Sequence, residues 1–253
     1  MEQNQFKIEN KSVQSNDLIR SVWSLDSVGL KIFEMAVSCI DTVTSTKIDN
    51  VVYLSKKAIF NMFSATDEDR YRRFQNHLKN LQKQVVTVRN YETDKITQIV
   101  PIPTITYGIK DDDDLIKFEF NTHIMPYLVE LKRNYTSYQI ENIRNMTSRY
   151  SILLYKFIKM NSFKGNSIIV SVEEYRRYTD TIKRYKVFSD WEKRVINDAM
   201  NDLNQSRADI VMAYEKIRSG NKINAIRLKW RDRTSYNDTK YENDDQMTID
   251  DFK

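Results

Sequence analysis

The chain has 253 residues, of which 40% are hydrophobic and 30% charged, with a formal net charge of +5. That is the balance of a folded soluble protein of one large or two ordinary domains, and it excludes a low-complexity or fibrous chain. No apolar run is long enough to span a bilayer and no basic-then-apolar leader follows Met1. The single cysteine (Cys39) cannot form an internal disulfide, so the expected setting is a reducing cytoplasm.

The first elements follow a polar, loose N-terminus, residues 1–15. Leu25, Val28, Ile32, Met35 and Cys39 have helical spacing, which predicts an amphipathic helix from Leu25 to about Asp41 with Cys39 buried. Leu54-Ser55-Lys56-Lys57 opens a short helix that runs through Phe63, and Thr66–Asp69 caps the next. In that helix Tyr71, Phe74, Leu78 and Leu81 face inward, while Arg70, Arg73, His77 and Asn80 face outward. A β-rich run follows, QVVTVRN, ITQIVPIPTITYGI and IKFEFN. Pro101 and Pro103 assign an edge strand there, and Asp111–Asp114 form an acidic turn.

The same plan then repeats. Ile143, Met146, Tyr150, Leu153, Leu154 and Phe157 predict a long amphipathic helix, followed by a strand from Ser167 to Val172 and a short helix from Glu173 to Tyr178. The next helix starts at Ser189, with Glu192 in capping-box spacing, and Trp191, Val195, Ala199 and Leu203 form its apolar stripe. Lys193, Asn197, Asn201 and Asn204 lie on the other face. A hairpin completes the module. Ile226, Leu228 and Trp230 point one way, Arg227, Lys229 and Arg231 the other, and Ser219-Gly220-Asn221 make the turn. Helix, short helix, basic helix, hairpin is the winged-helix order. The expected fold is therefore α+β: two tandem winged-helix domains, 16–135 and 136–231, with a disordered acidic tail, 232–253.

Charge is uneven along this plan. The tail holds seven acidic residues and three basic ones, so it carries −4 and leaves +9 on the body. A basic body favours a polyanionic partner. A helix with an Asn/Lys face fits the major groove of double-stranded DNA, and a basic wing reaches the backbone. Lys193, Arg194, Asn197 and Asn201 are the candidate base readers, because Asn can pair bidentately with adenine and Lys or Arg with guanine. Arg70, Arg72, Arg73 and Lys79, with Arg227 and Lys229 on the second wing, are the candidate phosphate contacts. Gln246, Ile249 and Phe252 have the Q-x-x-aliphatic-x-x-aromatic spacing that resembles sliding-clamp-binding peptides.

His77 and His123 are the only histidines. They are too few and too far apart to build a zinc site with Cys39, and no His-x-His is present for a metal-dependent nickase. Neither GxxxxGK[ST] nor GxGxxG occurs, and only four glycines are available for a phosphate-cradling loop. The expectation is a non-enzymatic protein with no cofactor and no metal.

Three segments together carry a family resemblance: NDLIRSVWSLDSVGLKIFEMAVSCID, TSRYSILLYKFIK and the SDWEKRV…NDLNQ…DIVMAYEKIRSGNKINAIRLKW block. Over roughly residues 15 to 231 the chain resembles the plasmid replication initiators (Rep proteins) built from two winged-helix domains. The resemblance implies a protein that binds iterons, short repeats at a theta-replication origin, as a monomer. It implies opening of an AT-rich segment, recruitment of host replication proteins such as initiator and helicase, and repression of its own gene as a homodimer on an inverted repeat. It also implies that the first module carries dimerisation and backbone contacts while the second reads bases. The chain departs from one member of that family in having fewer arginines at the start of the last helix, Trp191-Glu192-Lys193-Arg194. Two alternatives remain open at this stage, a plain winged-helix transcriptional repressor and a DNA nickase or recombinase.

Overall fold

The repetition in the sequence is met by the same run of elements laid down twice. The first run is β1 (Lys11–Ser15), α1 (Asn16–Ile19), α2 (Ser27–Ser38), β2 (Val51–Ser55), α3 (Lys56–Phe63) and α4 (Arg70–Lys83), then β3 (Val86–Asn90), β4 (Lys95–Ile99), β5 (Thr104–Tyr107) and β6 (Leu115–Glu119). The second is β7 (Tyr135–Gln139), α5 (Glu141–Arg144), α6 (Arg149–Asn161), β8 (Ser167–Ser171) and α7 (Val172–Tyr178). It continues through three contiguous helical pieces, α8 (Phe188–Trp191), a π-helical segment (Glu192–Asn197) and α9 (Asp198–Gln205), into β9 (Ile210–Ser219) and β10 (Lys222–Asp232). This computed structural model describes residues 6–40, 50–63, 69–90, 93–108, 114–129 and 131–233.

The sheets repeat as well. The strand before the short helix pairs with the last strand of its run, giving the antiparallel orders β2-β6-β5 and β8-β10-β9. Between β9 and β10 the loop is two residues, Gly220-Asn221, and Gly220 has φ +59. A positive φ at the first central residue matches the hairpin turn whose twist suits the strands, and glycine adopts it without strain. The first run differs by inserting the β3–β4 hairpin. Its two prolines lie between β4 and β5, and β5 takes the sheet edge.

By contacts the chain divides into two units, Met1–Arg144 and Asn145–Lys253. In the first, Trp23, Leu30, Phe33, Leu54, Ile59, Phe118 and Phe120 form the core. In the second, Tyr155, Ile158, Tyr175, Trp191, Leu203 and Leu228 do.

Four sequence expectations need correction. Residues 1–15 are not all outside the fold, because Lys11–Ser15 is β1 and pairs antiparallel with β7, Val13 opposite Ser137. The alternation of β1 hides from a hydrophobicity count because its inward residues, Ser12 and Gln14, are polar. They are nonetheless fully buried, since Glu34 of α2 waits beneath them. Glu34 Oε2 accepts hydrogen bonds from Ser12 Oγ (2.6 Å), Gln14 Nε2 and Tyr138 Oη (2.6 Å), so a buried carboxylate is satisfied by two strands at once.

The junction accordingly moves from 135/136 to 144/145: β7 and α5 pack with the first unit, and Lys31 Nζ donates to Arg144 O at 2.6 Å. The single helix predicted over Ile143–Phe157 is interrupted. Ser148 caps α6 by accepting from Tyr150 N, while Asp202 accepts from Thr147 N, Ser148 N, Thr147 Oγ1 and Ser151 Oγ. Finally, Asp232 closes β10 and Arg233 donates to Ala208 O (2.8 Å) and Asn204 O (2.7 Å), so these two residues belong to the domain rather than the tail.

Cys39 is buried at the C-cap of α2, and burial pushes its thiol up from about 9 to about 12, so it remains protonated at neutral pH.

Two outcomes follow from these carboxylates, Glu34 buried and Asp202 half-buried. Glu34→Leu removes the acceptor shared by three buried donors and should destabilise the protein by on the order of 3 kcal/mol in urea unfolding; an unchanged midpoint would show that the donors find other partners. Asp202→Ala removes the acceptor at the start of α6 and should cost on the order of 2 kcal/mol by the same measurement.

Candidate nucleic-acid interface

The second unit presents a helical rod, residues 188–205, fastened along one side. Trp191, Val195, Ala199 and Leu203 are fully buried, as the four-residue spacing predicts, and Ile196 joins them. Val195 and Ile196, adjacent in sequence and both inward, lie in the π segment. The helix starts differently from the expected capping box. Val187 is the N-cap and makes no side-chain cap, so Ser189 lies within the first turn. The N-cap thus lies two residues before Ser189, and Phe188 packs on Trp191 with ring centroids 5.5 Å apart. Trp191 Nε1 donates to Thr181 Oγ1 at 3.0 Å, and Asp202 ties the other end to α6.

Glu192 serves the wing instead of the cap. Its Oε1 accepts from Tyr214 Oη (2.7 Å) and lies 3.0 Å from Lys216 Nζ, both on β9. Tyr214 Oη also sits 2.7 Å from Asn197 Oδ1. Burial, and then the hydrogen bond to Glu192, raise the Tyr214 phenol well above its ordinary value, so it stays neutral. Asn204 is taken up likewise. Its Nδ2 donates to Met212 O and its Oδ1 accepts from Met212 N, each at 2.9 Å, a bidentate bond to the β9 backbone.

The predicted polar face thus divides. Lys193, Arg194 and Asn201 are exposed, whereas Asn197 is half-buried with its carboxamide oxygen at Tyr214, and Asn204 is committed to the hairpin. Arg194, despite its position beside the apolar stripe, points to solvent. Three side chains with donors for base edges remain open, on a rod whose other side is buried in the core.

On the wing, Ile226, Leu228 and Trp230 face the core, and Arg227, Lys229 and Arg231 are half-buried between them. Arg227 Nη1 is paired with Glu215 across the hairpin, which neutralises part of its charge; Lys229 keeps the outward side.

In the first unit α4 occupies the place that the rod takes in the second. Arg72, Arg73 and Lys79 are exposed. Arg72 lies 3.2 Å from Asp69 in a solvent-exposed pair, an interaction weak enough to yield to a phosphate. Arg70 departs from the outward reading: it is half-buried, with its guanidinium 5.3 Å from the Phe60 ring and 5.2 Å from Tyr71. His77 is also turned inward, Nδ1 lying 3.0 Å from Oδ2 of Asp26, the residue whose other oxygen caps α2.

The structure adds one basic segment that periodicity does not reveal. Lys183, Arg184 and Lys186 are exposed on the loop that enters the rod. Their signal was compositional, three bases within Thr181–Val187, in a stretch that belongs to no periodic element. Gln246, Ile249 and Phe252 lie outside the described residues. Among the described residues no group of three His, Cys, Asp or Glu could hold a metal ion, and no helix is long and apolar enough to cross a membrane.

Two family models match the chain: the initiator replication protein winged-helix domain WH1 over residues 11–159, and the initiator Rep protein winged-helix domain WH2 over residues 171–230. Among solved structures, the chain is similar to the Pi initiator protein in complex with iteron DNA at 18% identity and a TM-score of 0.72, with 88% of this chain and 98% of that one covered. Domains 2 and 3 of RctB show a weaker likeness, 11% identity and a TM-score of 0.46, covering 90% and 92%. The double run of elements, the two matching sheets and the model matches, which together span most of the residues, place this chain in the initiator replication (Rep) protein family, with both of that family's winged-helix domains.

Proposed function

We propose that the protein initiates replication of a plasmid by binding double-stranded direct repeats at the origin. The observation that carries this is the rod at 188–205: apolar anchors on one side, Lys193, Arg194 and Asn201 exposed on the other, and the β9–β10 wing behind it. Iteron binding, stated of the Pi protein, extends to this chain because the fold is shared and the exposed groups suit base edges and phosphates.

In this reading the second unit reads bases through Lys193, Arg194 and Asn201, with Lys229 on the backbone. Asn197 acts mainly through Tyr214 to hold wing and rod in register. The first unit adds phosphate contacts from Arg72, Arg73 and Lys79, while Arg70 supports them by stacking. The protein binds iterons as a monomer in the cytoplasm, opens the adjacent duplex and recruits host replication proteins. A homodimer on an inverted repeat represses its own gene. It acts by binding and distorting DNA, not by cutting it. The tail peptide with Gln246, Ile249 and Phe252 is the contact for a sliding clamp or another host factor.

The deciding experiment compares a duplex carrying one direct repeat from the plasmid origin with a random-sequence duplex of equal length. Asn201→Ala should weaken repeat binding by ~1–3 kcal/mol and leave the random duplex unaffected. Equal losses on both would make Asn201 a positional contact and remove it from the readers. In cells, Gln246→Ala with Phe252→Ala changes no charge; it should lower plasmid copy number while repeat binding stays intact. Normal copy number in that double variant would reject the host-factor peptide.

A further inference from the structure

Several carbonyls of the loop between α7 and the rod converge on one guanidinium. Arg176 of α7 is half-buried, and its Nη1 donates to Tyr185 O (3.0 Å), Arg184 O (3.1 Å) and, more weakly, Thr181 O (3.4 Å). The same guanidinium lies 4.8 Å from the centre of the Trp191 ring. One side chain therefore links the carbonyls of the loop to the buried anchor at the start of the rod.

Apolar burial adds little to the middle of the loop. Ile182 and Val187 are 53% and 59% exposed, so its apolar residues do not fasten it to the core. Thr181 is fixed at its beginning by Trp191 Nε1 and Thr179 Oγ1, and the half-buried Tyr185 hydrogen-bonds Tyr150. The backbone is strained at two points, with φ +56 at Asp180 and +51 at Tyr185. For a bulky residue such as Tyr185 that conformation persists only when its surroundings enforce it, and such strain collects at functional sites. The carbonyl that follows the strained Tyr185 φ is one of those that Arg176 holds. What this arrangement displays is charge: Lys183, Arg184 and Lys186, all exposed, on the segment leading directly into the rod.

We infer that Arg176 is a positioning residue for DNA binding. It does not touch DNA; it holds the 181–187 loop so that Lys183, Arg184 and Lys186 meet phosphates flanking the bases that the rod reads. The inference rests on the DNA-binding reading above, and the partner is the phosphate backbone of duplex DNA, independent of sequence.

The test uses the full chain and a random-sequence duplex of about thirty base pairs, roughly three helical turns, titrated over a salt series. Two variants are compared, Arg176→Met, which keeps the stem over Trp191, and Lys183→Ala/Arg184→Ala/Lys186→Ala, which changes only exposed side chains. Each phosphate contact contributes about 0.9 to the salt slope, so the triple variant should lower it by about two to three. Arg176→Met should lower it by a similar amount, with a loss of affinity of about tenfold or more in moderate salt. Combining the two should add little. Limited trypsin digestion reads the loop itself, and cleavage after Lys183, Arg184 and Lys186 should be slow in the wild type and fast in Arg176→Met.

Each departure has one meaning. An unchanged slope in the triple variant would show that the loop does not meet DNA, whatever the stability of Arg176→Met. A lowered slope in the triple variant with unchanged slope and cleavage in Arg176→Met would show that the loop needs no positioning by Arg176. Full additivity would place the effect of Arg176 elsewhere. A wild-type protein that fails to bind the random duplex at low salt would overturn the DNA-binding reading itself, and with it this inference.

Discussion

The second unit is organised around a helix that is buried on one side and open on the other. The rod at 188–205 satisfies both demands by concentrating its anchors. Trp191 fills the core at one end and donates to Thr181; Asp202 gathers the backbone N–H groups of Thr147 and Ser148 at the other. Val195, Ile196, Ala199 and Leu203 bury the length between. At roughly 1.5–3 kcal/mol for each large apolar side chain buried, this stripe outweighs any exposed charge pair on the opposite face. The polar face is therefore free of structural duty at Lys193, Arg194 and Asn201. Where a polar residue does have such a duty, at Asn197 and Asn204, its hydrogen-bonding groups face the hairpin.

The π segment is the local form of the same constraint. Val195 and Ile196 are both fully buried here, in line with Trp191, Ala199 and Leu203. The segment carries two of the rod's five fully buried anchors. It also brings Glu192 and Asn197 to Tyr214, so the wing is coupled to the rod by a neutral phenol shared between a carboxylate and an amide. The hairpin is consequently fixed to the helix it backs, by bonds that a salt-screened surface pair would not supply.

The two copies of the plan have diverged in how they spend buried polarity. The first unit encloses Glu34 under the β1–β7 pair, and its three donors come from residues that a hydrophobicity scale treats as surface. The leading strand of the second copy, β7, is thereby committed to the first unit, and the second begins at Asn145 without a leading strand of its own. The first unit inserts the β3–β4 hairpin, whereas the second extends its wing over ten and eleven residues in β9 and β10. The β5–β6 wing of the first unit is shorter, four and five residues.

The sequence alone determined the elements whose signal is periodic and apolar. The stripe Trp191-Val195-Ala199-Leu203, the alternation Ile226-Leu228-Trp230, the Gly220-Asn221 turn and the order of helices and hairpins in both copies follow from burial and local backbone preference, which neighbouring residues carry. Family membership was legible too, because it rests on the order of whole segments. Tertiary structure decided whatever depends on a partner distant in sequence. Ser12 and Gln14 become core only because Glu34 lies beneath them, and the helix predicted over Ile143–Phe157 breaks because Asp202 claims the backbone at Thr147 and Ser148. Asn197 and Asn204 leave the open face because β9 offers Tyr214 and Met212. Arg176, an ordinary basic residue in sequence, becomes the holder of a loop because the carbonyls of Arg184 and Tyr185 and the Trp191 ring converge on it. Polar groups take their roles from the partners that satisfy them, and those partners are brought together only by the packed fold.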